Sequence, residues 1–343
     1  MKRYYIGEKN SNVFNALNKA RIDIELSFEN KEYKKIDILT KSNFSILSSI
    51  KNILNLIIKL NSKDMIFFQY PYYGKRAYIL NILKILKKIK SNKIIAVIHD
   101  LDSLRYKKDK CYIEDEIRYL NLCDCVISHN EKMTEWLELN GLITNIININ
   151  LFDYILDSKI KNNNLRKTDI VFAGNLDEKK SGFVYKLINN DLLKCKMNLY
   201  GGNFTGKISN PNIKYLGKYP PDELIQHIDG KFGLIWDGNS IERCDGAIGE
   251  YTKYNNPHKL SMYIAAGLPV ICWKKMAIAD FVEKNGIGIC IDNLSEINNI
   301  INDIIIDDYN KILNNVTRLQ SKLIRGNFTE NALEEAERKV NLQ

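Results

Sequence analysis

The 343-residue sequence predicts an α/β protein made of two Rossmann-like halves. Short β-rich runs alternate with helical patterns, stop at a polar stretch, and then alternate again. The composition, 45% hydrophobic and 27% charged, is too apolar for a disordered chain, and the length exceeds what one core comfortably serves. Residues 1–156 are expected to form the first domain, 157–310 the second, and 311–343 helices that cross back to the first.

In the first half the strand candidates are 2–7, 35–39, 64–69, 93–99, 124–128 and 145–150, rich in Ile, Val, Tyr and Phe. The segments between them, 10–21, 44–60, 75–90, 112–121 and 130–140, carry apolar residues at three- and four-residue spacing and predict helices covering a parallel sheet. Residues 157–167, DSKIKNNNLRK, lose that periodicity and predict an exposed connection. The second half offers strands at 169–174, 196–201, 213–217, 232–237, 269–273 and 288–291, with helices at 182–190, 222–229, 257–266 and 277–285. From about 294 to 341 the pattern is helical only.

Lys and Arg number 50 against 41 Asp and Glu, a formal charge of +9 that favours anionic partners. The basic residues are not interleaved with nucleic-acid motifs, so nucleic acid is not expected as a partner. The seven cysteines form no CxxC pair and no zinc-ligand spacing, and are expected as reduced, mostly buried thiols. No run of about 18 apolar residues could span a bilayer, and MKRYYIGEKN lacks the apolar core of a secretory signal, so a cytosolic protein is expected. Helix 76–93 sets Lys84, Lys87, Lys88, Lys90 and Lys93 beside an apolar stripe. That is the pattern of a helix lying on the inner face of an anionic membrane and, more often, of a solvated face covering a core.

Ligands of open parallel sheets sit at the carboxyl ends of the strands, so the segments after each strand are the ones to inspect. Gly174 and Asn175 follow strand 169–174, with Lys180 close behind; the same residues also suit a plain solvated turn. The strongest segment is YTKYNNPHKLSMYIAAGLPVICW, 251–273. Asn256 reads as an N-cap and Pro257 as the first helical residue, opening a helix whose unpaired N–H groups suit a diphosphate. Lys259 would lie in the first turn, against the helix dipole, which points to an anionic ligand or to a lysine turned to water. Gly267 suits a left-handed C-cap. In the first half, His99 and Asp100 end strand 93–99; either could take a proton from an acceptor hydroxyl, or serve as core imidazole and turn cap. Gly7, Ser11 and Asn12, after the first strand, could touch an acceptor or form a capped turn, and Asp237 could hold sugar hydroxyls or make an Asp-Gly turn. The Asp100-Leu101-Asp102 spelling mimics a metal-binding signature of one-domain sugar transferases, so no metal site is expected in a two-domain chain.

The segments VIHDLDSLR (97–105), FAGNL (172–176), YPPDEL (219–224), FGLIWDG (232–238) and NPHKL…AAGLPVI resemble glycosyltransferases of the GT-B fold. Within these the similarity is to the bacterial β-1,6-galactofuranosyltransferase-like family, which includes streptococcal adhesin glucosyltransferases. The resemblance implies a UDP-sugar donor held mainly by the second domain, with Lys180, Asn256 and Lys259 on the diphosphate, Tyr219 on the nucleotide, and Gly174 and Asn175 lining the donor pocket. It implies a glycan acceptor, lipid-linked or on a glycoprotein, a hexosyl group (glucose, galactose or galactofuranose), no cofactor, and self-association. Many retaining relatives carry two glutamates eight positions apart, where this chain has Tyr254 and Met262. An inverting, metal-independent reaction with Asp100 as base is therefore expected; a non-catalytic binding subunit or a sugar-nucleotide epimerase are the alternatives.

Overall fold

The computed structural model describes residues 1–7, 16–38, 45–72, 76–156 and 166–342. Ser11, Asn12 and most of the polar stretch 157–167 lie outside the described residues. The chain forms two compact units: residues 1–13, 20–149 and 328–343 make the first, and 14–19 and 150–327 the second.

The first unit holds β1 (Arg3–Gly7), α1 (Ala16–Asn30, whose first residues group with the second unit), β2 (Lys34–Asp37), α2 (Ile46–Lys59), β3 (Met65–Tyr70), α3 (Arg76–Lys90), β4 (Lys93–Ile98), α4 (Asp102–Arg105), α5 (Lys110–Leu120), β5 (Cys125–Ser128), α6 (Glu131–Leu139) and β6 (Asn145–Asn148). The strands pair in parallel in the order β2-β1-β3-β4-β5-β6. Every residue of β3 and β5 is buried, as expected of parallel strands covered on both faces. The switch in strand order falls between β1 and β3.

One expectation changes here and one pair of alternatives narrows. The first helix covers Ala16–Asn30 and so extends well past the expected end at residue 21, while residues 10–15 lie outside the described residues. Its segment ARIDIELS alternates charged and apolar residues like a strand, yet folds as a helix in which Arg21, Asp23, Glu25 and Ser27 are buried alongside Ile24 and Phe28. The apolar stripe of α3 is core: Ile79, Ile82, Leu83 and Leu86 are all buried, so that stripe does not face a membrane.

The second unit holds β7 (Ile170–Ala173), α7 (Glu178–Ile188), β8 (Met197–Tyr200), β9 (Ile213–Tyr215), α8 (Pro221–His227), β10 (Phe232–Ile235), α9 (Gly246–Tyr251), α10 (His258–Ala265), β11 (Val270–Trp273), α11 (Ala279–Asn285), β12 (Gly288–Ile291), α12 (Ile297–Asp303) and α13 (Ile306–Leu323). Its parallel sheet is ordered β12-β11-β10-β7-β8-β9, so the switch point lies between β7 and β10. Gly267, at φ 70°, ends α10 in the left-handed conformation and turns the chain into β11. Helix α13 packs on α10, where the Gln320 amide donates to the Ala265 carbonyl at 2.7 Å. Helix α14 (Asn327–Asn341) anchors residues 328–343 to the first unit: Arg3 Nε meets Glu337 at 2.8 Å, Lys31 meets Glu334 at 2.6 Å, and the Tyr33 hydroxyl donates to Glu337. All seven cysteines are free thiols; Cys111 is exposed, Cys290 half-buried and the other five buried.

Candidate active site

The crevice outside the carboxyl ends of strands flanking a switch point is where this architecture binds ligands. In the second unit that place is the end of β7, at Gly174, and the end of β10, at Trp236 and Asp237. Lys259, in the first turn of α10, runs between them. Its Nζ donates to Asp237 Oδ1 at 2.8 Å and to the Trp236 carbonyl at 3.2 Å, and lies 4.8 Å from the Phe172 ring centroid. The two charged side chains are only 13% and 8% exposed, so the pair is largely dehydrated. A Cβ on Gly174 would stand 3.0 Å from Lys259 Cε, so the missing side chain makes room for the lysine stem.

The neighbouring β8 closes on the same point. Gly174 N donates to the Tyr200 carbonyl at 3.0 Å. Gly201 sits at φ 145°, and a Cβ there would fall 1.7 Å from the Gly174 carbonyl oxygen, so only glycine fits. Asn175 is exposed and makes an Asx turn: its Oδ1 accepts from Asp177 N at 3.0 Å and from Asn203 Nδ2 at 2.9 Å. Asp177 caps α7 by accepting from Lys179 N. Lys180 is tied to the loop after β10, where its carbonyl accepts from Gly238 N at 2.9 Å. Gly174, Asn175, Lys180, Asp237 and Lys259 are thus brought to one edge of the sheet. Tyr219 lies on the β8–β9 side, stacked on His227 at 4.5 Å and tilted against Tyr200.

Asn256 is not the N-cap. Helix α10 starts at His258 with Pro257 in the cap position and no side-chain cap bond. The Asn256 amide donates to the Asn150 carbonyl at 3.0 Å. His258, inside the NPHKL segment, carries no signal in the sequence that sets it apart. Its ring stacks on Tyr154 at 5.2 Å, and its pKa is lowered to about 4 by burial and then by the charge of Lys19, against a bond to the Asp153 backbone. The imidazole is therefore neutral, and Lys259 is the cation of this helix's first turn.

In the first unit, His99 and Asp100 follow β4 and both are buried. His99 Nε2 is 2.6 Å from Gln69 Oε1, an acceptor, so this nitrogen carries the proton. Asp100 is ion-paired with Arg105. Asp100 and Asp102 diverge: Asp102 accepts from the Tyr112 hydroxyl at 3.3 Å. The cap of the turn after β4 is Glu116, fully buried, which takes Asp102 N and Ser103 N at 3.2 Å each, the Ser103 hydroxyl, and the Tyr70 hydroxyl at 2.7 Å. Nothing in the sequence near residue 100 marked Glu116, because it arrives from α5. His129 is buried beside this group, donates Nε2–H to the Ile98 carbonyl at 3.1 Å, and has its pKa lowered to about 3 by burial. The room beside Gly7 is occupied by Lys35, whose Cε would be 2.0 Å from a Cβ there. Among the described residues no group of three or more His, Cys, Asp or Glu could hold a metal ion.

Two family models match the chain: the glucosyltransferase 3-like N-terminal domain over residues 3–151, and the glucosyltransferase 3-like C-terminal domain over residues 170–336. The β-1,6-galactofuranosyltransferase WbbI of Escherichia coli (strain K12) is 34% identical over 339 residues, covering 97% of both chains. This protein belongs to the glucosyltransferase 3-like family of glycosyltransferases. Glucosyltransferase 3 of Streptococcus gordonii is 24% identical over 91% of this chain and 90% of its own. Among solved structures, Anabaena Alr3699/HepE in complex with UDP-glucose superposes with a TM-score of 0.61 at 14% identity, covering 98% of each chain. An α-glucosyltransferase in complex with UDP gives a TM-score of 0.60 at 13% identity, over 99% of this chain and all of its own. The fold of this glucosyltransferase 3-like chain is therefore GT-B, with two Rossmann-like units.

Proposed function

We propose that this protein moves a hexosyl group from a UDP-sugar to a hydroxyl of a glycan acceptor, with inversion at the anomeric carbon. The observation that carries the donor side is Lys259, held by Asp237 at the β7/β10 switch point beside two glycines that let the backbone come close. A diphosphate there meets a dehydrated ammonium and the first-turn N–H groups of α10. Lys259 and Lys180 supply positive charge as the sugar–phosphate bond breaks, so the leaving group is stabilised by the protein's own cations. Asp237 keeps Lys259 in place through Oδ1 and offers Oδ2 to a sugar hydroxyl. Tyr254 and Met262, in place of the paired glutamates of many retaining relatives, support inversion. The first unit supplies the proton acceptor, Asp100, whose carboxylate is oriented by Arg105, with His99 fixed beside it by Gln69.

The test is incubation with UDP-glucose and with UDP-galactofuranose, each with and without acceptor glycans and in the presence of EDTA. A glycosylated product that forms only when acceptor is present is the expected result. Conversion of the donor without acceptor, or UDP binding with no turnover on any acceptor, would refute the proposal, and loss of turnover in EDTA would refute its metal-independent part.

A further inference from the structure

Helix α2 has two apolar faces. Inward, Leu56 and the following Leu60 are buried and Ser49 lies against the core, while the Tyr78 hydroxyl on α3 donates to Asn52 at 2.8 Å and fixes the helix's rotation. Outward, Leu47, Ile50, Leu54 and Ile58 are 81%, 50%, 53% and 80% exposed. At 100° per residue these four fall within about 80° of arc, a continuous stripe about 16 Å long. Exposed single aliphatic residues need no explanation, but four in register on a helix do.

Charge singles out the same stretch of the chain. Between residues 38 and 99 the sequence holds eleven Lys or Arg and one acid, Asp64. That acid is turned inward, accepting from Lys2 N at 2.8 Å and Asn61 N at 2.9 Å. The stretch therefore carries +10, and the rest of the chain, 39 basic against 40 acidic residues, carries −1. Lys51 and Lys59 on α2, Lys63 just after it, and Lys84 and Lys88 on the adjacent α3 are all exposed. Neither α2 nor α3 contains an acidic residue.

We propose that the outer face of α2, with the exposed lysines of α2 and α3 around it, seats this protein peripherally on an anionic lipid bilayer. The aliphatic stripe enters the headgroup–acyl boundary, and the lysines flanking it meet lipid phosphates. No helix among the described residues is long and apolar enough to cross a membrane, so the attachment is interfacial. Asp124, from the loop before β5, pairs with Lys87 and Lys93 but leaves Lys84 and Lys88 exposed, so a second copy docking isologously through this stripe would bring like-charged helices, neither holding an acid of its own, against each other. The inference does not depend on the donor or acceptor chemistry proposed above.

The experiment is co-sedimentation of the full chain with vesicles of phosphatidylcholine alone and of phosphatidylcholine with an equal part of phosphatidylglycerol. Expected is sedimentation with the anionic vesicles only, released as salt shortens the screening length from about 10 Å toward 3 Å. Leu54→Ser and Ile58→Ser should each weaken partitioning about tenfold. Lys84→Glu with Lys88→Glu should weaken it at least about fivefold per site at low salt. All four positions are exposed, so the variants should keep the wild-type circular dichroism and melting temperature. Absence of binding to anionic vesicles, equal binding to both vesicle types, or wild-type binding by the folded Leu54→Ser/Ile58→Ser variant would each overturn the proposal. So would concentration-dependent self-association that these substitutions abolish while vesicle binding persists unchanged.

Discussion

Replacing Lys259 by Met separates a binding lysine from a purely structural one. The methionine keeps most of the apolar stem against Phe172 and beside Gly174, so packing changes little. What is lost is the counter-charge of Asp237, a buried carboxylate whose ion-pair partner stands at 2.8 Å. Removing one member of a buried pair costs roughly 3–5 kcal/mol, because the other charge stays dehydrated. Asp237→Asn in the Lys259→Met background removes that stranded charge and should recover most of the loss, as read by urea midpoints. Donor affinity should behave differently. A charge-assisted contact to the diphosphate contributes about 1.5–3 kcal/mol, so calorimetric titration with UDP should show binding roughly 10- to 150-fold weaker in the single and in the double variant alike. A folded double variant that binds UDP like the wild type would reduce the Lys259–Asp237 pair to a structural one and remove the basis of the donor site.

Asp100→Asn should abolish transfer while UDP affinity stays unchanged; near-normal turnover would exclude it as the proton acceptor. Gly201→Ala should destabilise the second unit by more than about 1–3 kcal/mol, since it combines an unfavourable positive φ with a methyl on the Gly174 carbonyl, and UDP binding should fall with it; an unchanged melting temperature would show that the β8 end does not constrain β7. His129 gives a pH dependence: its folded pKa of about 3 lies below the unfolded 6.5, so below pH 6.5 the unfolded chain holds a proton the native one lacks. Stability present above pH 6.5 should be lost on acidification toward pH 3 at up to about 1.4 kcal/mol per unit, with a shallower slope in His129→Gln; identical slopes would refute the assignment.

The strands were the readable part of this fold. Parallel strands buried on both faces must be nearly continuous runs of Ile, Val, Phe and Tyr, so β3, β4, β7 and β10 stand out by composition alone. The second half of helix α1 was not readable past residue 21, because its buried charges interrupt the apolar spacing. The start of α10 was placed one residue early, because Asn-Pro is a common opening and nothing local shows that the Asn256 amide is taken by Asn150. Helix α3 was ambiguous as a sequence: a basic amphipathic helix has the same spacing whether its stripe meets a core or a lipid. Its burial, and the exposure of α2, answer that only once both helices are packed.

By itself the sequence determined the two sheets and the family, since these follow from hydrophobic period and from motifs contiguous in the chain. Tertiary structure decided what depends on partners far apart: Lys259 held by Asp237 22 residues upstream, Glu116 reaching back to cap the turn after β4, the lysine stem seated against Gly174, and Gly201 made indispensable by the carbonyl of Gly174. Local spacing constrains which face a residue takes, but charge pairing, desolvation and close backbone approach depend on distances that only the folded chain sets.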